Sequence, residues 1–487
     1  MLAVVFGILS FFHSPDFSEN RKKITFPAAD TIKLPTKLQV NADSSGYLEI
    51  SRIFITGNKV THDGIILREL SFTPGDVVKS SELRLILDRD QKKLFNTRLF
   101  HTATIRQLDL EPGKIDLLVD VNERWYTFPS PRFDLADRNF NEWWQTYDHD
   151  FKRIVYGLKL YQYNMRGRNE TLILKALFGF QRDFALTYRI PYIDRKKKQG
   201  LIINFEFMET KNPAYKTEDH KLKYKHASDF IKISRSAGLT YTYRNSFYQS
   251  HLLEMEYYSN WINDTIYNLN RNYFGEGKTR QKFGTLRYQF NTDHRDVIAY
   301  PLAGYQGIFS IKKTGLGLGD DIDLLEVSLG FSRFIDLKKG YYFSNYTNVY
   351  WSSPRHQPYA NYGALGYKKE FVKGYEVYVI EGPSYFLNKS TFKKRIFSKR
   401  YDWDLMPKGF QYIPLSIYLK TYADFGYVNN YPAYRTQHIN TRLADTWLAG
   451  AGAGVDILIS YDIVLRFEYT FNALGSNGFV FNVKKEF

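Results

Sequence analysis

Beyond residue 150 apolar side chains fall at every second position. In 324–332 Leu325, Val327, Leu329 and Phe331 share one face, and Glu326, Ser328, Gly330 and Ser332 the other. In 465–472 Leu465, Phe467, Tyr469 and Phe471 stand against Arg466, Glu468, Thr470 and Asn472. In 414–426 Leu415, Ile417 and Leu419 oppose Ser416, Tyr418, Lys420, Tyr422 and Asp424. A period of two predicts strands, here with one apolar face and one polar face that includes charge. Such segments run from about 153 to 487 with no helical spacing among them. A soluble sandwich would bury the apolar faces against each other; a membrane barrel would turn them to lipid around a wet lumen. The barrel accounts better for the unbroken series. It also accounts for a last strand with Phe479, Phe481, Val483 and Phe487 on one face, because a strand ending at a sheet edge is a liability unless it closes on another.

The front of the chain has a different period. Residues 47–61 alternate and run into a Gly57-Asn58 turn, which predicts a strand. Ile65, Ile66 and Leu70 mark a short helix, 73–76 break it, and Leu83, Ile86, Leu87, Leu94 and Phe95 predict a second helix over 80–100 after Ser80. Two strands follow, joined by a Pro-Gly turn at 111–114. The order strand, helix, helix, strand, strand makes 47–125 a small α+β domain. Residues 21–46 read as a polar linker, 126–152 as a second linker, and 153–487 as the strand region. The apolar stretch Leu2–Phe12 has the length of a signal-peptide core and is too short to span a bilayer, so 1–20 reads as a signal segment, although it lacks a basic start.

Composition agrees with a strand-rich chain. Tyr (39) and Phe (38) far outnumber Met (5), and aromatics suit strands. No 18-residue apolar run exists, so a membrane-spanning helix is not expected. Cysteine is absent, which removes disulfides, thiolate catalysis and zinc–cysteine sites and suits passage through an oxidising compartment. The net charge of +16 fits an anionic membrane surface as well as nucleic acid, but the one dense basic run, 194–200, reads as a solvated turn, so no nucleic-acid partner is expected. There is no H-E-x-x-H and no G-x-S-x-G; the glycine-rich 315–321 and 450–454 do not sit between strand and helix, and 293–296 read as a turn salt-bridge group. Neither an enzyme nor a cofactor or metal is expected. Gly450, Gly452 and Gly454 strip one face of a strand so that something can approach it or the wall can bend.

Several stretches carry a family likeness. Ile55, Gly57, Asn58, Thr61, Ile66–Leu70 and Gly75 match the hallmark of a POTRA domain. Residues 164–172, 186–194, 292–305, 422–428, 447–457 and 465–475 follow in the order of barrel segments in the BamA/TamA outer-membrane superfamily, which also holds the two-partner secretion transporters. Over roughly 48–487 the chain resembles that superfamily, as a short accessory member with a single POTRA. The resemblance implies an all-β transmembrane barrel of 16 antiparallel strands after a periplasmic α+β POTRA domain, in the outer membrane of a Gram-negative bacterium. It implies insertion or translocation of β-rich proteins, with a seam between a first strand near 154–163 and the last at 479–487. Its implied partners are outer-membrane lipid and lipopolysaccharide, unfolded outer-membrane or secreted clients, and candidate periplasmic or lipoprotein subunits. A POTRA binds by adding a client strand to its sheet edge. A two-partner-type secretion pore and a structural or passive channel remain open as alternatives.

The family carries V-R-G-[FY] at the tip of a loop folded into the barrel, its Arg paired with the Asp of F-x-D-x-G on the lumen wall. The matching residues here are Val372, Lys373, Gly374 and Tyr375, and Asp424. Alternation alone puts Asp424 on the polar face, beside wall charges Arg466 and Glu468 on another strand. Lys in place of Arg is a departure, since it offers a point charge instead of a planar fork. Thr391 stands about where the family often has a further carboxylate, which implies a looser latch. Phe479, Phe481, Val483 and Phe487 resemble the C-terminal outer-membrane signal, from which Lys485 departs.

Overall fold

The computed structural model describes residues 46–111, 113–135, 143–144, 148–194, 196, 198–246, 248–275, 277–317, 319–367, 370–402, 412–459 and 463–485. The N-terminal domain comprises β1 (Tyr47–Thr56), α1 (Asp63–Leu67), β2 (Val77–Lys79), α2 (Ser80–Asn96), β3 (Phe100–Glu111) and β4 (Lys114–Glu123). Its sheet has the order β2-β1-β4-β3, with β1 parallel to β4 and the other neighbours antiparallel. Alternate residues of the strands and the apolar stripe of α2 make one core, including Ile50, Leu83, Leu87, Leu94, Leu117 and Val119. The second helix stops at Asn96, short of the expected 100, because Thr97 turns back and donates its hydroxyl to Leu94 O (2.6 Å).

Among the described residues beyond it, 16 strands form one antiparallel sheet. In chain order these are β5 (Thr127–Leu135), β6 (Ile154–Met165), β7 (Glu170–Gly179), β8 (Gln181–Ile190) and β9 (Gln199–Thr210). After a small hairpin, β10 (Ala214–Glu218) with β11 (Lys221–Tyr224), come β12 (Lys232–Arg244), β13 (Gln249–Ile262), β14 (Arg280–Asp293), β15 (Gly304–Thr314), β16 (Leu324–Lys338) and β17 (Tyr341–Ser353). The loop 354–383 holds a two-residue ladder, β18 (Ala364–Leu365) with β19 (Ile380–Glu381). The wall ends with β20 (Ser384–Asp402), β21 (Tyr412–Asn429), β22 (Trp447–Ile459), β23 (Ile463–Asn472) and β24 (Asn477–Lys485). Each wall strand pairs with its neighbour in sequence, so the up-and-down order leaves β5 and β24 at the two ends. The architecture is the expected one, an α+β domain followed by a 16-stranded all-β barrel.

One boundary differs. The expectation of a linker over 126–152, with the first wall strand near 154–163, does not hold: β5 pairs with β6 from Thr127↔Gln162 to Leu135↔Ile154. The physical reason lies in Pro129 and Pro131, which argue against a strand unless it lies at an edge. β5 lies at one.

The wall is apolar outside and polar inside. Leu329, Phe331, Leu419, Phe425, Tyr469 and Phe471 are each 44–55% exposed, while Tyr418, Lys420, Tyr422, Asp424, Glu468 and Thr470 are buried. A row of large apolar side chains left outward along strand after strand is a surface for lipid, not for water.

The N-terminal domain docks on the turns at one rim of the wall, the near rim. His62 N–H donates to Gly167 O (3.0 Å), Asn164 Nδ2 to Thr61 Oγ1 (2.8 Å), and Arg244 pairs with Glu69 (3.2 Å). The Arg68 guanidinium lies 3.7 Å from the Tyr192 ring centroid. Gly167 has φ +67°, and a Cβ there would fall 2.0 Å from Val60 O, so the contact needs glycine.

At the far rim the β10–β11 hairpin ties two loops together. Thr217 and Tyr434 donate to Glu381 (2.9 and 2.6 Å), and Tyr367 bonds the same carboxylate. Leu443 N–H donates to His220 Nε2 (2.9 Å), and Val379 N–H to His220 O (2.8 Å). Burial, with the Arg442 charge second, holds the His220 imidazole down from 6.5 to about 4, against weaker opposing effects of the Val379 bond and Asp219. An unfolded imidazole takes up a proton as pH falls below about 6.5 and the folded one resists until about 4, so its share of stability is present above that window and lost within it. Limited proteolysis of loop 430–446 is expected to quicken across this window, and H220Q to remove that share of the pH dependence. Glu381, whose carboxyl burial pushes up, acts in the opposite sense but is common to both proteins. Superimposable pH profiles for the two would show that His220 does not titrate there.

Candidate functional site

Loop 354–383 turns back into the lumen and packs on the inside of β20, β21 and β22 through Leu365, Val372, Tyr375, Ile380, Leu387, Val428 and Leu448. Its tip is 372–375. Val372 and Tyr375 are buried on either side of Lys373-Gly374. Gly374 takes φ +87°, a left-handed conformation that glycine adopts without strain, and its carbonyl accepts from Asn472 Nδ2 (2.6 Å).

The wall makes room for this tip by omitting side chains. A Cβ on Gly450 would lie 1.8 Å from Lys373 O, and one on Gly426 would lie 2.6 Å from a Val372 methyl. Gly452, two residues further along β22, makes room for the wall itself: a Cβ there would meet Tyr469 O at 2.2 Å and the Tyr422 hydroxyl at 2.5 Å. Of the glycine face at 450–454, Gly450 is the seat of the loop, where the approaching group is the loop backbone itself, while Gly452 and Gly454 are approached by residues of β21 and β23.

The charges differ from the expected pairing in one respect. The Lys373 ammonium bonds Glu468 Oε1 (2.5 Å), not Asp424; what Asp424 Oδ2 accepts is the Lys373 backbone N–H (3.2 Å). The Lys373 ammonium lies over the Tyr422 ring of β21, 3.5 Å from its centroid, while it bonds the carboxylate on β23. Glu468 also accepts from Lys420 (2.6 Å), which in turn bonds Asp456 Oδ1 (2.5 Å). Arg466 stands 3.7 Å from Asp456, so it faces that carboxylate and not the loop. Opposite Asp424 on β20 is Lys389, while Thr391 lies across from Tyr422. The cluster therefore alternates cation and carboxylate across β20–β23.

Lys420, Asp456 and Tyr422 were not singled out in the sequence as site residues. Lys420 and Tyr422 share the parity of Asp424 along β21, and Asp456 continues the face of Gly450, Gly452 and Gly454 along β22; these were the available signals.

Elsewhere the candidate residues separate. Gly57 has φ +87° and would place a Cβ 1.8 Å from Val121 O, and Asn58 Nδ2 donates to Thr61 O (2.9 Å) and Asp63 Oδ1 (2.6 Å). They shape the turn whose far side, at Val60 and His62, meets the wall. Phe479 is exposed on the outer face, and the Phe481 ring lies 5.0 Å from that of Phe467. Val483 is placed by its backbone, opposite Leu465, and Phe487 lies outside the described residues.

Comparison with known proteins fits this picture. The family described as POTRA, surface antigen variable number repeat, matches residues 48–124. The whole fold is similar to BamA from Haemophilus ducreyi lacking POTRA domains 1–3, with TM-score 0.53 and 15% identity over 89% of this chain and 83% of that one. It is similar to CdiB from Escherichia coli, with TM-score 0.55 and 11% identity over 90% and 74%. CdiB from Acinetobacter baumannii gives 0.50 and 12% over 90% and 73%. No curated protein matches by sequence. In architecture the chain is a POTRA domain joined to a barrel of the BamA type.

The geometry sets the expected effects of substitution. K373A leaves Glu468 one cation short and should loosen the loop; losing one partner of a buried pair costs about 3–5 kcal/mol, less where water reaches it. K373R keeps the charge and should be tolerated. G450A has no room for its methyl group and should displace the tip as far as K373A does with every charge intact. Protease sensitivity of loop 354–383 and lumen conductance in planar bilayers report the release; G450A behaving as wild type would disprove the seat described above.

Proposed function

We propose that this POTRA-plus-barrel protein is an outer-membrane assembly factor. It receives unfolded β-rich chains at its periplasmic POTRA and passes them to the membrane or across it through the seam between β5 and β24. One observation carries the reading. Tyr163 N–H donates to Tyr126 O (2.7 Å), which puts the even-numbered residues of β5 in hydrogen-bonded register with β6. Alternation then turns the backbone groups of 127, 129, 131 and 133 toward the seam. Two of these four are Pro129 and Pro131, which have no N–H to give. The first strand is built to pair well on one side and poorly on the other.

A wall closed by a deficient edge opens there first, and an opened edge offers backbone groups to an incoming strand. The docked POTRA supports the same reading. It is fixed beneath β6–β9 and β12, beside that edge, and its twelve-residue β3 lies at the outer edge of its own sheet. Client folding supplies the driving energy, so no nucleotide or metal is called for. The outward apolar rows meet lipid and lipopolysaccharide.

Depletion followed by outer-membrane proteomics tests the reading. Loss of many barrel proteins is expected. Loss of one secreted exoprotein would mean a two-partner-type secretion pore instead, and an unchanged profile a structural or passive channel. The edge is tested separately. P129T with P131T restores two donors worth about 1 kcal/mol each, and should raise the temperature at which the folded band is lost on electrophoresis while lowering assembly. An unchanged temperature would remove the seam argument.

A further inference from the structure

The lumen is entered from both rims, and the two intruding segments end on the same charges. From the far rim comes Lys373. From the near rim comes the turn 294–303 between β14 and β15, which folds inward: Asp296 N–H donates to Ala303 O (3.1 Å), Leu302 N–H to Asp296 Oδ1 (3.0 Å), and Ala299 and Tyr300 are buried. Tyr300 lies among Tyr342, Tyr418 and Val464, and its hydroxyl donates to Asp456 Oδ2 (2.9 Å). The Lys393 ammonium sits 4.2 Å from its ring centroid.

Asp456 is the carboxylate that Lys420 bonds through its other oxygen (2.5 Å), and Lys420 shares Glu468 with Lys373 (2.6 and 2.5 Å). An unbroken series therefore joins the rims: Tyr300, Asp456, Lys420, Glu468, Lys373. Lys420, Asp456 and Glu468 are all buried, so the loss of any member leaves a neighbouring group one partner short in the interior.

We infer that Tyr300 is a positioning residue for the latch, and that the near-rim turn and the far-rim loop hold each other in the lumen through this series. Withdrawal of the turn removes a donor from Asp456. Asp456 turns to recover one, Lys420 loses its fixed place between the two carboxylates, and the Glu468 carboxylate that meets Lys373 is no longer held in position. Release at one rim thus favours release at the other, and coupling of this kind is reciprocal. The inference concerns loop positions and stands whether or not the assembly reading does.

The chain has no cysteine, so a single introduced thiol is a clean reporter. V372C places one at the buried loop tip and A299C one in the buried near-rim turn. In protein reconstituted in lipid vesicles, Y300F, which removes only the hydroxyl, should speed maleimide labelling of V372C about tenfold, the factor carried by one hydrogen bond to a buried carboxylate. K373A should speed labelling of A299C to a similar degree. Retention of the folded band on electrophoresis checks that each variant still forms the wall. Should Y300F leave V372C as slow as in the parent while K373A exposes it, the two plugs are independent and the inference fails. Should K373A leave A299C unchanged, reciprocity fails and the inference with it.

Discussion

The constraint from which everything else follows is the outward placement of Leu329, Phe331, Leu419, Phe425, Tyr469 and Phe471. A strand has two faces, so giving one to lipid leaves the other as the only place for charge. The wall strands β20–β23 carry Lys389, Lys393, Lys420, Asp424, Asp456, Arg466 and Glu468. Concentrated in a narrow lumen, those charges must find partners. Opposite charges meet across neighbouring strands, and the intruding loop joins them by bringing Lys373 onto Glu468. The loop is therefore not an ornament on a finished barrel. It takes part in the charged network that the outer surface confines to the inner one.

Lysine in the latch has a chemical consequence. A guanidinium would bond one carboxylate through two parallel N–H groups and fix its own orientation. The Lys373 ammonium instead offers a point charge, which lies over the Tyr422 ring and shares Glu468 with Lys420. Orientation comes from elsewhere: the backbone N–H on Asp424, the Gly374 carbonyl on Asn472, and a wall cut away at Gly426 and Gly450. Shape and backbone bonds position the tip, and the side chain contributes charge. That division explains how the site tolerates a cation without a fork.

Much of this was legible in the sequence because it depends on parity. The faces of β16, β21 and β23 follow from alternation alone, and so does the inward placement of Asp424, Arg466 and Glu468. Which cation meets which carboxylate was not legible, since Asp424 and Glu468 lie two strands apart and only the register of β21, β22 and β23 brings both within reach of one lysine. Tyr300 was hidden for a related reason: nothing local in 298–303 says that the segment enters a lumen. β5 was missed because proline is evidence against a strand everywhere except at an edge, and the edge is a property of the whole sheet. The number of strands came from the family likeness, not from the pattern.

These features distribute strength unevenly around the wall. At one end of the sheet, β20–β23 are tied across the lumen by buried charge and by a loop that touches all four of them. At the other, β6–β9 and β12 are held from below by the docked POTRA through Asn164, Tyr192 and Arg244. Between these two braced regions lie β24 and β5, and β5 turns two prolines toward the gap. A closed sheet fails where its backbone bonds are fewest, because each lost pair there costs about 1 kcal/mol while a stranded buried charge costs several. On the proposed seam reading, bracing on both flanks confines opening to that one place and lets it occur without loss of the lumen cluster. Weakness at the edge and strength beside it thus belong to a single arrangement, and neither would be useful alone.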